Sequence, residues 1–263
     1  MVEMPEIVEL AEIVRENRNA KTFYFNRSYD YEPGQFFMLW LPGLDEKPFS
    51  ASYADKEKIG ITVEKKGRLT QEMHKLEPGA KVGLRGPYGN PFRIKEGKAC
   101  IIGGGCGLAP LMPLIGKLKD AQSIVGCQTK DALMFSGRLD KSCICTDDGS
   151  FGYKGFVTDR FVEMLKEERF DIVYTCGPEI MMRKVFEICQ ENRIECQASL
   201  ERFMICGIGI CGQCMCDSER VCTEGPVFGS KTLANLRDFG RAAMLKDGKK
   251  VPLQEYYSYR TKY

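Results

Sequence analysis

The tightest constraint on this chain is a run of four cysteines in its C-terminal third, Cys206-x4-Cys211-x2-Cys214-x7-Cys222. The first three carry the spacing of plant-type iron–sulfur ligands, and the fourth follows further on. The stretch reads C-G-I-G-I-C-G-Q-C, with Gly207, Gly209 and Gly212 between the thiols. Glycine there lets the backbone wrap closely around a compact inorganic core and turn N–H groups toward its sulfides. A [2Fe–2S] cluster moves single electrons, so electron transfer leads the readings. A structural zinc site with four thiolates is the competitor. Such sites usually present two C-x2-C pairs, whereas here only Cys211 and Cys214 form one. Cys216 is a rival ligand by sequence distance, and in an extended stretch it shares a face with Cys214. A disulfide framework is the weakest option.

At 263 residues the chain holds one large or two medium domains, each with its own core. Its 38 basic and 36 acidic side chains leave a net charge of +2, which speaks against nucleic acid and acidic membrane surfaces as partners. The 13 cysteines, with no secretory signal in M-V-E-M-P-E-I-V-E-L, point to a reducing cytoplasm where thiols stay free or bind metal. Ala99 to Gly116 runs without a charge and borders on the length of a membrane span. Its glycines and prolines suit a buried strand, a turn and a helix start instead, and no membrane segment is read there. The single histidine, His74, leaves little scope for histidine catalysis or histidine–metal chemistry and is read as a surface or packing residue.

The fold class expected is multidomain β plus α/β. Residues 1–95 read as a β-barrel, because runs such as Ala20–Asn26, Gln35–Leu41 and Ile59–Glu64 are rich in aromatic and β-branched residues. Turn signals at Pro33-Gly34, Pro42-Gly43 and Pro78-Gly79 separate them. Lys95-Glu96-Gly97-Lys98 reads as a linker. Residues 96–197 then alternate strands (99–103, 123–127, 142–146, 171–176) with helices (108–118, 161–168, 179–191), which predicts a parallel sheet covered by helices. Residues 198–263 hold the cysteine loop and a polar tail, and the tail is read either as a surface cap or as a docking segment.

Two turns carry the chemistry of the α/β region. Gly103-Gly104-Gly105-Cys106-Gly107 lies between a strand and a helix, where backbone N–H groups meet a pyrophosphate. It is not a strict G-x-G-x-x-G, and no acidic ribose partner is placed. Cys176-Gly177-Pro178-Glu179 ends a later strand and is a candidate for the same crevice, since ligands of open α/β sheets lie beyond the strands' C-terminal ends. In the β region, K-P-F-S-A-S at 47–52, G-R-L-T at 67–70 and G-P-Y-G-N-P-F at 86–92 each read as loops when taken alone. Cys100, Cys127, Cys143, Cys145, Cys189 and Cys196 read as small buried hydrophobes, and Met181 and Met182 as helix packing.

Taken together these motifs resemble the ferredoxin–NADP reductase superfamily. Within it they are most similar to the electron-transfer subunits of NAD-dependent, heteromeric dihydroorotate dehydrogenases. The likeness runs along nearly the whole chain, through T-D-D-G-S-F-G-Y-K-G at 146–155 and T-C-G-P-E-I-M-M at 175–182 to S-L-E-R-F-M-I-C-G-I-G-I-C-G-Q-C ending in V-C-T-E-G-P-V-F. The resemblance implies an FAD-binding barrel, with Lys47, Pro48, Phe49, Ser50, Val63, Glu64, Lys65, Leu69 and Thr70 lining the flavin. Lys47 stands where the family has arginine, keeping the charge and losing the bidentate fork. Gly104, Gly105 and Cys176 would face NAD, and Cys206, Cys211, Cys214 and Cys222 would hold the cluster. The gap before Cys222, shorter than is common in the family, implies a trimmed hairpin. No side chain need be an acid–base catalyst. The partner implied is an FMN-containing dihydroorotate dehydrogenase catalytic subunit, two of each in a heterotetramer. Electrons would pass singly from that FMN through [2Fe–2S] to FAD and leave as hydride to NAD+, in pyrimidine biosynthesis. Small subunits of sulfide dehydrogenases, NAD(P)H–ferredoxin oxidoreductases and hydrogenases share the plan. A non-catalytic zinc or redox-sensing binding protein is the reading from another class.

Overall fold

The computed structural model describes residues 4–118, 120–139 and 141–262. The N-terminal unit is a closed six-stranded antiparallel barrel in the order β1-β2-β5-β4-β3-β6. Its strands are β1 (Glu6–Arg15), β2 (Ala20–Phe25), β3 (Phe36–Leu41), β4 (Asp45–Ala54), β5 (Ile59–Glu64) and β6 (Lys81–Tyr88), with the short helix α1 (Arg68–Met73) between β5 and β6. Alternation decides which way each strand faces. Ile59, Ile61 and Val63 of β5 join Phe23 and Phe25 of β2 in the barrel core. Gly60 and Thr62 take the outer face, Gly60 beneath Tyr24 and Tyr53 and Thr62 toward the second unit.

That second unit is a seven-stranded sheet in the order β10-β9-β8-β7-β11-β12-β15. It comprises β7 (Ala99–Gly104), β8 (Gln122–Cys127), β9 (Ser142–Thr146), β10 (Tyr153–Lys154), β11 (Ile172–Cys176), β12 (Glu195–Ser199) and β15 (Val227–Gly229). All neighbours run parallel except β15, which lies antiparallel on β12. β7 and β11 are central and buried along their whole lengths, as strands covered on both faces must be. The chain leaves β7 toward β8, β9 and β10, then returns to start β11 on its other side. β7 and β11 therefore flank the topological switch point. Helices α3 (Val157–Met164) and α4 (Glu179–Glu191) pack on the sheet. A small hairpin, β13 (Met215–Cys216) with β14 (Glu219–Arg220), precedes β15. Beyond β15 come α5 (Ser230–Leu233), a hairpin of β16 (Ala242–Met244) with β17 (Lys250–Pro252), and α6 (Leu253–Lys262).

Three expectations change in detail. The helix anticipated over 108–118 begins as a 3-10 turn, Gly105–Leu111, and only Met112–Lys117 (α2) is α-helical. Pro110 and Pro113 have no N–H to give an α-helical ladder, so the tighter turn forms first. The K-P-F-S-A-S segment, which reads as a loop when taken alone, is the middle of strand β4, and G-P-Y closes β6. Residues 95–98 lie between the units as expected but are pinned by their ends. Lys95 pairs with Glu195 and Lys98 with Glu168, and the Lys95 N–H donates to Tyr174 Oη at 3.0 Å.

Polar contacts lock barrel and sheet together. Glu16 of the barrel accepts from Arg138 at 3.3 Å and from the Phe135 N–H at 3.1 Å. On the covered outer face of the barrel, Thr22, Thr62 and Ser52 form a buried hydroxyl chain with spacings of 2.7 and 2.6 Å. His74 packs edge-on against Phe23 with Nε2 2.9 Å from the Val63 carbonyl, which is the packing role expected of it. Cys100, Cys127, Cys145, Cys189 and Cys196 are buried free thiols, and Cys143 is partly buried. Among the described residues no helix is long and apolar enough to cross a membrane.

Candidate functional site

One cleft of about 230 Å³ touches all three segments of the chain. Lys47, Pro48, Phe49 and Ser50 line it from β4, although Phe49 also packs on the barrel core, and Thr62 and Glu64 line it from one face of β5. Gly67 and Thr70 enter from the start of α1. The Thr70 hydroxyl accepts from the N–H groups of Lys66 (2.8 Å) and Gly67 (3.0 Å), closing the turn that presents this wall. Cys106, Gly107 and Cys176 enter from the switch point, and the run from Ser199 to Ile205 leads directly into the cysteine loop.

Close approach at the switch point requires glycine. A Cβ on Gly107 would lie 2.4 Å from the Gly177 Cα, so the G-G-G-C-G and C-G-P turns touch backbone to backbone. Both turns expected to share a crevice do so. The Cys176 thiol donates to the Ser199 carbonyl at 3.4 Å, and burial pushes its pKa up, which keeps it a neutral lining group. Burial, aided by Glu64, likewise pushes the Cys106 thiol up to about 12. Neither thiol is poised as a nucleophile.

The site residues expected from sequence divide into two groups. Lys47, Pro48, Phe49, Ser50, Glu64, Thr70 and Cys176 line the cleft. The side chains of Val63 and Leu69 lie in the barrel core instead, so any contact they make with a ligand is through backbone. Lys65 is exposed, with its N–H on the Asn19 carbonyl. Gly104 packs under Met181 and Pro178, while Gly105, at φ +53°, opens the 3-10 turn with free space where a Cβ would stand. Sequence reasoning passed over Thr62, Gly67, Cys106, Gly107, Phe203 and Lys246. Of these, Gly67, the Cys106-Gly107 pair and Phe203 sat inside motifs already singled out, and Thr62 inside a strand run. Lys246 reaches the cleft through tertiary folding alone. A wider groove of about 770 Å³ across the barrel–sheet seam, lined by Glu16, Arg18, Lys130 and Phe151 among others, contains none of the expected site residues.

The cysteine loop adjoins this cleft. Arg85 of β6 grips Glu46 of β4 (Nε to Oε1, 2.7 Å) and donates from Nη2 to the Cys206 carbonyl at 3.2 Å. The loop thus rests on the strands that carry Lys47 and Phe49. Gly207, at φ +72°, lies so close to Met38 that a Cβ would meet its Cγ at 2.9 Å. The four thiols associate in pairs. The Cys211 N–H donates to Cys206 Sγ at 3.5 Å, and the Cys222 N–H donates to Cys214 Sγ at 3.4 Å. Burial pushes the Cys206 thiol up, but hydrogen bonds from the Cys211 and Ile208 N–H groups, the Cys211 thiol and the Ile210 N–H outweigh it and bring it to about 7. The Cys222 thiol and the N–H groups of Cys222, Cys214 and Val221 bring Cys214 down, against burial, to about 6. Cys206 and Cys214, lowered in this way, form thiolates readily in a nest of N–H groups.

Among the described residues no three of the Cys, His, Asp and Glu side chains are arranged to hold a single metal ion. The four thiols lie as two pairs, Cys206 with Cys211 and Cys214 with Cys222. The short gap before Cys222 is spanned by the β13–β14 hairpin. Cys216 on that hairpin is fully buried and receives a hydrogen bond from Arg202 Nη2 at 3.2 Å.

A barrel, a parallel sheet whose glycine-lined switch point opens into the same cleft, and an adjoining four-thiol loop define a ferredoxin–NADP-reductase-type electron-transfer module with an iron–sulfur segment appended. Residues 201–234 match the family described as the iron-sulfur cluster binding domain of dihydroorotate dehydrogenase B. The chain is 46% identical over 259 residues to a Methanocaldococcus jannaschii protein named probable dihydroorotate dehydrogenase B (NAD(+)), electron transfer subunit, covering 95% of this chain and 99% of that one. A protein of the same name from Methanothermobacter thermautotrophicus is 41% identical over 263 residues, covering 95% and 98%. This chain belongs to the family of dihydroorotate dehydrogenase B electron-transfer subunits, oxidoreductase components. Among solved structures, that of an NADH-dependent reduced ferredoxin–NADP oxidoreductase, studied for flavin-based electron bifurcation, superposes with a TM-score of 0.79 at 28% identity over 89% of this chain and 93% of that one. The cytochrome P450 reductase GcoB of Amycolatopsis shares the fold, with a TM-score of 0.63 at 21% identity over 73% of this chain and 66% of that one.

Proposed function

We propose that this chain carries electrons from the FMN of a dihydroorotate-oxidising catalytic subunit to NAD+, within a cytoplasmic heterotetramer of two subunits of each kind. The observation that carries the reading is the single cleft, whose walls come from the flavin motif, the switch-point crevice and the run into the cysteine loop. FAD, when bound, supplies the two-to-one electron chemistry that joins nicotinamide, a hydride carrier, to a one-electron cluster.

The chain's own residues then have defined tasks. Phe49 and Pro48 offer an apolar wall, and Ser50 and Thr62 offer hydroxyls to a planar ring system. Lys47 stands ready for phosphate, held at 2.8 Å by Asp45. Gly104, Gly105, Gly107 and Gly177 keep the switch-point backbone open beside the small Cys106 and Cys176 side chains, so a nicotinamide nucleotide can approach the backbone. Cys206, Cys211, Cys214 and Cys222 would hold the cluster, and the surrounding N–H groups would stabilise its negative charge. Ile205 and Ile210 are 57% and 76% exposed beside the exposed Cys211. Apolar side chains standing out around a ligand thiol mark this face as the one that meets the catalytic subunit. All the described thiols are unpaired, as a reducing compartment keeps them.

The test is dihydroorotate-dependent NAD+ reduction by the anaerobically purified protein with its native partner. Activity in a preparation that contains an FMN subunit supports the reading. A coloured flavin–iron–sulfur complex inert toward dihydroorotate would leave the electron-transfer role standing and assign the substrate to a different partner.

A further inference from the structure

The C-terminal tail does more than cap the surface. The turn of its β16–β17 hairpin delivers Lys246 into the cleft, next to Lys47. Several contacts fix that turn. The Leu245 N–H donates to the Lys249 carbonyl at 2.8 Å, and the Gly248 N–H to the Leu245 carbonyl at 3.0 Å. Leu245 is buried, and its carbonyl accepts from Gln213 Nε2 at 2.8 Å, one residue before the cluster ligand Cys214. The Lys246 ammonium also lies 5.8 Å from the Phe203 ring centroid, over another residue of the cleft wall.

Lys47 and Lys246 line the same cleft, and their like charges repel. Partial burial, then the Lys47 charge, hold the Lys246 pKa below the ordinary lysine range, with Asp45 opposing. The carboxylate opposite them, Asp45, is spent on Lys47 and half-exposed. Of the other charged groups lining the cleft, Lys66 pairs with Glu64 and Arg202 with Glu179, and Glu201 adds a carboxylate, so Lys246 is the lining cation left to meet an entering anion beside Lys47. Lys47 also stands at the position where a guanidinium would give two parallel hydrogen bonds to phosphate. A lone ammonium is a point charge and cannot reproduce that fork.

We propose that Lys246 is a second phosphate-binding residue of the flavin site, forming with Lys47 a two-lysine clamp on the diphosphate in place of a single arginine. The proposal rests on the reading that this cleft binds FAD. It assigns the C-terminal hairpin, which the FAD-binding barrel does not include, a direct part in flavin retention. It also distinguishes the two ends of the flavin, because only the diphosphate meets the clamp while the ring meets Pro48, Phe49 and Ser50.

The experiment compares FAD with riboflavin, which has the same ring and no phosphate, on the flavin-depleted full chain carrying its cluster. Affinities are read by quenching of flavin fluorescence, and the cluster's visible absorbance serves as a folding control. Lys246→Gln should weaken FAD binding by about tenfold or more, the scale of one lost charge-assisted hydrogen bond. It should leave riboflavin affinity unchanged and flatten the salt dependence of FAD binding. Lys246→Arg should restore FAD affinity. Equal FAD affinity in wild type and Lys246→Gln overturns the proposal, as does parallel loss of FAD and riboflavin, which would make Lys246 a structural residue. Failure of wild type to bind either flavin would instead overturn the flavin reading of the cleft on which the proposal stands.

Discussion

Replacing Arg202 by methionine isolates one charge in the interior, and the structure sets the size of the effect. Arg202 is fully buried and Glu179 is 3% exposed. Both guanidinium Nη atoms reach the Glu179 carboxylate, Nη1 also donates to the Glu201 carbonyl at 2.8 Å, and Nη2 reaches the Cys216 thiol. One side chain therefore ties the start of α4 to the β13–β14 hairpin and to the approach to the cysteine loop. In Arg202→Met the carboxylate keeps the hydrogen bond from the Gly240 N–H at 2.8 Å and stays buried without the guanidinium counter-charge. Removing one partner of a buried pair costs about 3–5 kcal/mol. In a chain of this size that corresponds to a fall in melting temperature of about 6–20 °C. The assay is a thermal scan of the cluster-loaded protein, with hydrogen exchange read at residues 215–220. The double variant Glu179→Leu/Arg202→Met removes both charges and should melt closer to wild type than Arg202→Met alone. A shift of only a few degrees in the single variant, or a double variant that melts lower still, would refute the reasoning.

Other expectations follow from the same geometry. Cys211→Ser should abolish the cluster's visible absorbance while NADH oxidation through FAD persists with an artificial acceptor; loss of both would contradict the division of labour between cleft and loop. Cys216→Ser should keep a full cluster, since its thiol is engaged with Arg202, and iron analysis would reveal otherwise. Gly107→Ala drives a Cβ into Gly177 and should weaken NADH binding sharply with little effect on flavin content, which a titration of the flavin spectrum separates. Burial, together with Lys21 and Lys65 and against the Val63 carbonyl, holds the His74 pKa below its ordinary value, so the folded state disfavours its protonation. Stability from this source is complete above the unfolded pKa of about 6.5 and is lost as pH falls below it. His74→Gln should therefore flatten the acid side of the stability–pH curve.

Much of this molecule is written in short-range pattern. Alternating apolar residues in Ile59–Glu64 and a largely apolar Ile172–Cys176 specify strands, because period and burial are local consequences of side-chain chemistry. The cysteine spacing and its glycines likewise announce the cluster loop, since ligands must reach one small core from a few adjacent residues. Strand β4 was not legible, because Lys47, Pro48 and Ser50 have no core to bury. They become a strand by pairing with β3, while β4 goes on from Ala51 to pair with β5. The helix after β7 was overextended for a related reason: apolar composition shows burial, but the prolines that shorten the helix act through missing donors.

The sequence by itself determined the two kinds of domain, the four thiols and the glycine turns, each of which depends on residues near one another along the chain. Only the tertiary structure decided that these parts open onto one cleft and that the thiols pair two and two. It also brought Lys246, 199 positions beyond Lys47, to the same anion-hungry corner. Such juxtapositions arise from barrel closure, strand order and the return of the tail across the cysteine loop. They depend on contacts distant in sequence, for which no local pattern carries a signal.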